Sequence, residues 1–314
     1  MSGEKSELEQ QQSDLDEVCA CCGVAAVDDV KLKICDGGCN LVKYCSGKCQ
    51  ENHREQHEKE CTERKTELHD KALFTQPDSS HIGECPICFL PLSIEKSKST
   101  FMGCCCKLIC NGCNYANMKR ENEQGLQHRC PFCRNPAPEK NEVDKQMMKR
   151  VKKNDPVAMA QMGRKRRNEG DYGKALEYFN KAAELGDAEA HACLANLYSE
   201  GDGVEKDDEK AVYHMEQGAI GGHHHARYLL ACYEDENGNF ERAAKHLIIN
   251  ANLGCNESLQ WIKDLFIQGI VSKDEYAAAL RGYQAAVNET KSPERDEGDA
   301  FTAFREALEA AQRS

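Results

Sequence analysis

The sequence predicts a mainly α-helical protein in which two small cross-brace modules precede an α-solenoid of helix-turn-helix repeats. Two observations support this fold class. Seventeen of the 20 cysteines fall in the first 133 residues, mostly as pairs separated by two or three residues. In the second half, an alanine in a shared helical pattern recurs at Ala175, Ala211, Ala243 and Ala279, in steps of 36, 32 and 36 residues. The 314 residues allow two or three domains.

Cysteine pairs with such short spacing are typical of zinc sites rather than of a disulfide framework. Residues 1–17 are polar and acidic, which predicts a disordered tail, and they lack the apolar run of a secretory signal. No stretch approaches the roughly 18 apolar residues of a membrane helix. Because zinc thiolates need reduced cysteines, we expect an intracellular protein, cytoplasmic or nuclear, with no membrane partner. The net charge of −12 disfavours nucleic acid as a partner.

The first cysteine array, residues 18–62, contains four pairs of metal-ligand residues. They are Cys19/Cys22, Cys35/Cys39, Cys45/Cys49 and His57/Cys61. Eight ligands saturate two tetrahedral zinc ions. So short a segment buries too little apolar area to fold alone, and structural zinc contributes roughly 10–16 kcal/mol in small finger peptides. Residues 50–68 contain neither Gly nor Pro, which predicts a helix with His57 and Cys61 on one face.

This spacing, with Tyr44-Cys45-Ser46 and Cys49-Gln50, resembles the MYND zinc finger. The resemblance implies interleaved sites and a short, often proline-containing peptide as partner. One zinc ion would be held by Cys19, Cys22, Cys45 and Cys49, and the other by Cys35, Cys39, His57 and Cys61.

The first array departs from the MYND pattern in three details. The second pair has one extra residue, the usual tryptophan before the histidine is absent, and Cys21 is surplus. Cys21 is an alternative to Cys22 as a ligand, although its single-residue gap from Cys19 suits chelation less well. We interpret His53, one turn before His57, as a solvated helix residue.

A second array, residues 84–135, follows a linker helix and loop at 63–83 that contains Pro77-Asp78. Its cysteines occur in the order of a RING finger, which the array resembles. The resemblance implies one zinc ion held by Cys85, Cys88, Cys110 and Cys113. It implies a second ion held by Cys130 and Cys133 with two of Cys104, Cys105 and Cys106. With the first array, this gives four expected zinc ions per chain.

The cluster of three cysteines is where the second array leaves the RING pattern. Lys107 stands where a RING usually has histidine, and a protonated amine cannot bind zinc. We prefer Cys104 with Cys105 as the completing ligands. The pair Cys104 and Cys106 would strain the backbone less, and the sequence does not decide between them. His128 is a weaker candidate because it lies outside the register of the last pair.

Three residues of the second array bear on enzymatic function. In ubiquitin-ligase RINGs, the equivalent positions contact the ubiquitin-conjugating enzyme or orient the loaded ubiquitin, and here they are Ile87, Pro131 and Arg134. Ile87 and Pro131 would supply an apolar contact, and Arg134 a fork of donors to carbonyl groups. Whether the protein is an enzyme stays open. If it is one, it is a RING-type E3 ubiquitin transferase, which works by positioning and contributes no catalytic residue.

After a charged linker at 136–155, the repeat occupies residues 156–290. Its period predicts paired helices stacked in a solenoid. Gly186, Gly222 and Gly254 are expected to end the second helix of each pair. The pattern is similar to Sel-one-like repeats, a branch of the tetratricopeptide class, which implies a scaffold for protein complexes.

Two further segments complete the chain. Residues 291–314 place Phe301, Phe304 and Leu308 on one helix face, which predicts a helix that caps the solenoid. We interpret the run from Gly221 to His225 as a polar turn between repeats rather than as a metal site.

No nucleophile elbow, phosphate loop or carboxylate pair occurs in the sequence. The sequence therefore predicts a zinc-binding adaptor whose fingers and solenoid each dock a protein partner. The alternative is a RING-type ubiquitin ligase, which would recruit a ubiquitin-conjugating enzyme through the second array and a substrate through the solenoid or the first array.

Overall fold

A computed structural model describes residues 18–26, 31–136 and 140–313. The chain divides into two compact units, Met1–Thr75 and Gln76–Ser314. The first unit contains the first cysteine array, and the second contains the second array together with the repeats. The tail predicted for residues 1–17 lies outside the described residues.

The first unit is a short ribbon followed by a long helix. Strands β1 (Lys33–Ile34) and β2 (Lys43–Tyr44) pair antiparallel, and helix α1 spans Gly47–Leu73. Ser46 caps α1, since its hydroxyl accepts a hydrogen bond from the backbone N–H of Cys49. The helix includes the whole of the predicted segment 50–68 and continues beyond it.

The second array is built on a hairpin and a helix. Strands β3 (Ser99–Met102) and β4 (Lys107–Cys110) pair antiparallel, with Ser99 opposite Cys110, and helix α2 follows at Asn111–Glu123. The turn of this hairpin therefore consists of Gly103 and the three clustered cysteines. Cys110 ends β4 and caps α2, because its sulfur accepts a hydrogen bond from the backbone N–H of Cys113.

The rest of the second unit is mainly helical, and consecutive helices from α3 to α11 pack against one another. The helices are α3 Lys140–Val151, α4 Pro156–Asn168, α5 Tyr172–Glu184, α6 Ala188–Glu200, α7 Asp208–Ile220, α8 His224–Glu236, α9 Phe240–Ala251, α10 Asn256–Ile267, α11 Lys273–Glu289 and α12 Pro293–Arg313. The predicted fold class, mainly α with a repeat solenoid, is confirmed. No helix in the described part of the chain is long and apolar enough to cross a membrane.

The repeat pattern has a direct structural cause. The four marker alanines are at most 2% exposed, because each lies where neighbouring helices approach too closely for a larger side chain. Gly186, Gly222 and Gly254 follow the ends of α5, α7 and α9 and have φ of +82°, +77° and +92°. Only glycine adopts this backbone readily, so the predicted helix ends are confirmed.

The C-terminal helix α12 differs from its predicted role as a cap of the solenoid, since it packs on α2 of the second array. A Cβ atom on Gly112 would lie 2.6 Å from the Glu294 carbonyl oxygen, and one on Gly298 would lie 2.5 Å from the Asn111 carbonyl. The two glycines thus allow the backbones to touch. The rings of Tyr115 and Phe301 meet with centroids 4.7 Å apart. Such a pairing across some 180 residues has no local sequence signal.

Candidate metal centres

Sixteen side chains converge in four groups of four. Within each group all ligand atoms lie within 4.8 Å of one another. The groups are Cys19/Cys22/Cys45/Cys49, Cys35/Cys39/His57/Cys61, Cys85/Cys88/Cys110/Cys113 and Cys104/Cys105/Cys130/Cys133. These are the groupings that the two resemblances imply, including the interleaving of alternate pairs.

The first group brings together Cys19 and Cys22, which precede β1, with Cys45, which directly follows β2, and Cys49 in α1. The sulfur of Cys45 lies 3.6 Å from those of Cys22 and Cys49. Tetrahedral zinc with Zn–S bonds of about 2.3 Å requires S···S distances of about 3.8 Å, whereas a disulfide requires about 2.05 Å. The spacing therefore suits an ion held between thiolates. Cys22 belongs to this group, and the surplus Cys21 does not.

The second group contains the one histidine among the sixteen side chains of the four groups. His57 is 4% exposed on α1, and its Nε2 lies 3.2 Å from the sulfur of Cys39. Burial lowers the pKa of His57, and the neighbouring His53 lowers it further. The imidazole is therefore neutral near pH 7, which is the form that binds zinc.

His53 has a structural role that differs from the predicted solvated one. Its Nδ1 lies 3.0 Å from the hydroxyl of Tyr44, which is 2% exposed, and its ring stacks on that of His57. His53 thus connects the ribbon to the ligand-bearing turn of α1. The sequence shows His53 one turn before His57, but it does not show that the tyrosine hydroxyl points there.

In the third group, contacts between the thiols shift their pKa values in opposite directions. Cys85 is fully buried, and the sulfurs of Cys88 and Cys110 are 3.8 Å apart. A hydrogen bond from Cys110 lowers the pKa of Cys85 to about 4, and the same bond strongly raises the pKa of Cys110. Zinc binding must therefore displace protons, so its affinity falls as the pH falls.

The fourth group shows how adjacent cysteines serve one ion. Cys105 lies 3.8 Å from Cys130, and Cys104 lies 3.4 Å from Cys133, measured between sulfurs. Cys106 has a left-handed backbone, with φ of +53°, and its N–H donates to the Met102 carbonyl at 2.8 Å. This turn places Cys104 and Cys105 beside the last cysteine knuckle, the pair Cys130 and Cys133. A knuckle here means two cysteines separated by two residues.

Cys106 itself belongs to another environment. It is 5% exposed and packs with Met147, Ala158 and Met162, away from the fourth group. Burial raises the pKa of its thiol to about 11. Its place is therefore that of a small apolar side chain at the junction with α3 and α4.

Polar residues of α2 support the last knuckle. Glu121 is 3% exposed, and its carboxylate lies 2.8 Å from Nδ1 of His128. Asn117 accepts a hydrogen bond at 2.9 Å from the guanidinium of Arg134. His128, considered as a ligand from sequence, thus pairs with a carboxylate outside the four groups. Neither Asn117 nor Glu121 was singled out from the sequence.

The three residues to which the ligase alternative assigns partner-binding roles differ in accessibility. Ile87 is 37% exposed, Pro131 is buried and Arg134 is exposed. Arg134 has φ of +62°, and Phe89, which follows the first knuckle in the same way, has φ of +57°. The backbone N–H of Phe89 donates to the carbonyl of Cys85, and that of Arg134 donates to the carbonyl of Cys130.

A fifth cluster of metal-ligand types lies at the junction between the linker and the solenoid. Glu189 Oε2 is 3.1 Å from His223 Nε2 and 3.6 Å from His81 Nε2. His223 also caps α8, since its Nδ1 accepts the N–H of Ala226 at 3.1 Å. A neutral His223 therefore carries its proton on Nε2 and donates it to Glu189. With both ring nitrogens committed, the cluster is a hydrogen-bonded clasp rather than a metal centre.

The comparisons with known proteins identify two of the modules. Residues 19–61 match the family model of the MYND finger, and residues 156–187 and 188–223 each match that of the Sel1 repeat. The chain contains a MYND finger and Sel1 repeats. No curated protein matches the sequence.

Three solved structures show distant similarity. A Sel1 repeat protein from Oxalobacter formigenes is 20% identical with a TM-score of 0.42, over 64% of this chain and 87% of its own. The antigen c5321 of uropathogenic Escherichia coli, which has an SLR fold, is 19% identical with a TM-score of 0.41, over 61% of this chain and 40% of its own. MamA is 17% identical with a TM-score of 0.30, over 54% of this chain and 92% of its own.

The predictions of the MYND and Sel1-like modules, and of zinc as the cofactor, are confirmed. Both modules are protein-interaction modules, so the partners are proteins or peptides. The RING resemblance of the second array stays a prediction. Bound zinc would supply a structural cross-link at each group, because four protein ligands leave no open coordination position.

Proposed function

We propose that the protein is a zinc-stabilised adaptor that holds two or more protein partners together. The closed donor set of each cysteine group carries this proposal. Four protein ligands per ion suit structural cross-links, whereas catalytic zinc keeps one position for water or substrate. The proposed modules are residues 18–62, 84–135 and 156–290, acting in the reducing environment of the cytoplasm or nucleus.

The MYND finger is the module whose ligand class is easiest to propose. Val24, Ile34 and Leu41 are 43%, 50% and 38% exposed, a large apolar surface for so small a unit. Ile34 lies in β1 of a two-stranded ribbon, where an extended peptide could add main-chain hydrogen bonds and place apolar side chains. Short proline-containing peptides fit this surface.

Peptide titration of the full-length protein tests the adaptor function. We expect Ile34→Asp to weaken binding of a selected proline-containing peptide at least about tenfold, or about 1.4 kcal/mol. Lys59→Asp, on an exposed position of α1, is the matched control and should bind normally. Native mass spectrometry would check that both variants keep their zinc. Equal affinity of the two variants would contradict the proposed surface.

A second candidate function is that of a ubiquitin ligase, favoured by the apolar residues exposed on the second array. Phe89 is 71% exposed and Phe132 44%, and Ile87 lies between the first two cysteines. Phe89 adopts a left-handed backbone, which costs an L residue about 1–2 kcal/mol. A bulky aromatic kept exposed at such a position supports a docking role.

An autoubiquitination assay with a panel of conjugating enzymes separates the two candidates. The ligase function requires activity that Ile87→Ala abolishes without loss of zinc. Leu126→Ala, an exposed apolar residue outside the knuckles, is the matched control and should remain active. Absence of activity across the panel, with all four ions bound, would leave the adaptor function alone.

A further inference from the structure

Arg295 is buried beside the third cysteine group, although it lies 207 residues from Cys88, the cysteine that it contacts. It belongs to the first turns of α12 and is 6% exposed. Its Nη1 donates to the carbonyls of Pro91 at 2.6 Å and Thr290 at 2.8 Å. Its Nη2 donates to the Leu90 carbonyl at 3.0 Å and to the sulfur of Cys88 at 3.4 Å. All four Nη–H donors are thus used.

Glu95, Asp296 and Asp299 line the same cavity as this guanidinium, yet none of them forms an ion pair with it. Among the described residues, no Asp or Glu oxygen pairs with Arg295, and Asp299, one turn further along α12, pairs with Lys98 at 3.0 Å instead. A buried charge without an ion-paired partner is strongly destabilising. The neighbouring group supplies a counter-charge: four thiolates around Zn²⁺ have a net charge of −2.

We propose that Arg295 is a positioning residue of the zinc site formed by Cys85, Cys88, Cys110 and Cys113. Its guanidinium orients the first knuckle through the Leu90 and Pro91 carbonyls. It also donates an N–H···S hydrogen bond to Cys88 and offsets part of the negative charge of the site. The proposal depends on zinc binding by the second array, and it is independent of the adaptor function.

Close packing of α12 on α2 holds Arg295 in place. Gly112 and Gly298 let the helix lie directly on α2. Asn111, 2% exposed, donates from its side chain to Asp299 at 2.8 Å and to the Ser97 carbonyl at 2.6 Å. These contacts therefore fix the first turns of α12 beside the third cysteine group.

The chemical consequence concerns the lifetime of the zinc site. An N–H···S bond and a nearby positive charge lower the basicity of a zinc-bound thiolate, so acid and electrophiles attack it more slowly. Groups around metal ligands affect metal affinity by about 10–100-fold when they are removed. We expect Arg295→Gln to release one of the four zinc ions at least about tenfold faster to a chelator.

The first experiment measures zinc release from the full-length protein by native mass spectrometry during chelator competition. Arg305→Gln, at an exposed position of the same helix, is the matched control. The proposal is supported if Arg295→Gln releases one zinc ion quickly, while the wild-type protein and Arg305→Gln release all four ions slowly. Equal release from the two variants overturns it.

The second experiment separates the role of Arg295 at the metal site from a role in docking the helix alone. The four sites are loaded with ¹¹³Cd, and amide hydrogen exchange of residues 299–312 reports whether α12 stays docked. The proposal expects one cadmium resonance to shift in Arg295→Gln while the amides of α12 stay protected. An unshifted resonance overturns it, and so does a shift that appears only where that protection is lost.

Discussion

The two cysteine arrays use the same interleaved arrangement of ligands but differ in what surrounds them. In the first array, the buried apolar cluster consists of three cysteines and Tyr44, and Cys22 is exposed. In the second, buried cysteines pack with Leu92 and Ile109, and α12 covers the array from outside. We therefore expect the first array to depend on metal for most of its stability, and the second to share its stability with the helices around it.

The second array is also tied to the solenoid at its beginning. The N–H of His81 donates to the carbonyl of Gly222 at 3.1 Å, and its ring faces the Glu189–His223 pair. The chain therefore contacts the helical repeats both before the first knuckle, through His81, and after the last, through α3. Four predictions test this difference between the arrays, in order of decreasing effect.

Zinc removal has the largest expected effect. A strong chelator should unfold the first array completely, because structural zinc contributes about 10–16 kcal/mol to a small finger. The solenoid helices α4–α11 should keep their amide protection, and the second array should lose protection after the first. Hydrogen exchange of peptides from each region would follow the order. Simultaneous loss of both arrays would contradict the comparison.

The substitution Gly298→Ala should weaken the second array alone. The new Cβ would lie 2.5 Å from the Asn111 carbonyl, and overpacking of this kind costs about 1–3 kcal/mol. Denaturant unfolding and zinc release would measure the loss. Gly173→Ala is the matched control, because a Cβ there meets nothing within 4 Å. A stability loss in the first array would argue against separate support for the two.

The Glu189 clasp should make the second unit sensitive to acid. Burial alone would raise the pKa of Glu189, but hydrogen bonds from His223 and His81 lower it well below its usual range. Burial lowers the pKa of His223 from 6.5. A lowered carboxylate pKa contributes stability that is fully present above the unfolded value of 4.5 and is lost progressively as the pH falls from there to the lowered folded value. A lowered histidine pKa removes stability below about 6.5.

Both effects of the clasp therefore have the same sign, and unfolding free energies between pH 7.5 and 4 would measure them. We expect Glu189→Gln to cost about 1–3 kcal/mol at neutral pH. Because Glu189 raises the pKa of His223, the variant should lose more stability than the wild type between about pH 6.5 and 5. The exposed Glu184→Gln controls for a lost surface charge. A deficit that does not change with pH would exclude the clasp as its source.

The smallest effect is expected for Tyr44→Phe in the first array. Burial raises the pKa of Tyr44 to about 12, so at neutral pH its hydroxyl is protonated and can donate to His53 Nδ1. Its loss should cost about 1 kcal/mol in the zinc-loaded finger. A double-mutant cycle with His53→Ala would isolate the pair. A cost above that of Gly298→Ala in the second array would reverse the comparison.

Features that depend on neighbouring residues were predictable from the sequence. The two-residue spacings after Cys85 and Cys110 predict zinc ligands, because the geometry within a pair is local. The RING resemblance, rather than the spacing, implied that the two pairs share one site. The marker alanines and the glycines that end helices follow from the repeat period. The choice between Cys105 and Cys106 as zinc ligand was open because it depends on a left-handed backbone at Cys106. Non-glycine residues rarely adopt this conformation, so the sequence does not indicate it.

Features that depend on tertiary packing were not predictable. Nothing near Arg295 in the sequence marks it as a partner of Cys88, which is 207 residues away. Phe304 and Leu308, predicted to face the solenoid, are 62% and 47% exposed. Two close glycine contacts outside that apolar face direct the helix to α2. The turn predicted at Gly222 is present, but burial of His223 follows from the approach of His81.

The return of α12 to α2 constrains how this protein can vary. Repeat solenoids gain or lose internal units readily, since each repeat contacts only its neighbours. Here only three residues, 290–292, separate α11 from α12, a reach of about 10 Å. One added repeat would move the start of α12 away from its contact with α2. One deleted repeat would leave α12 unable to reach α2. The number of repeats in this chain is therefore set by the distance back to the second array.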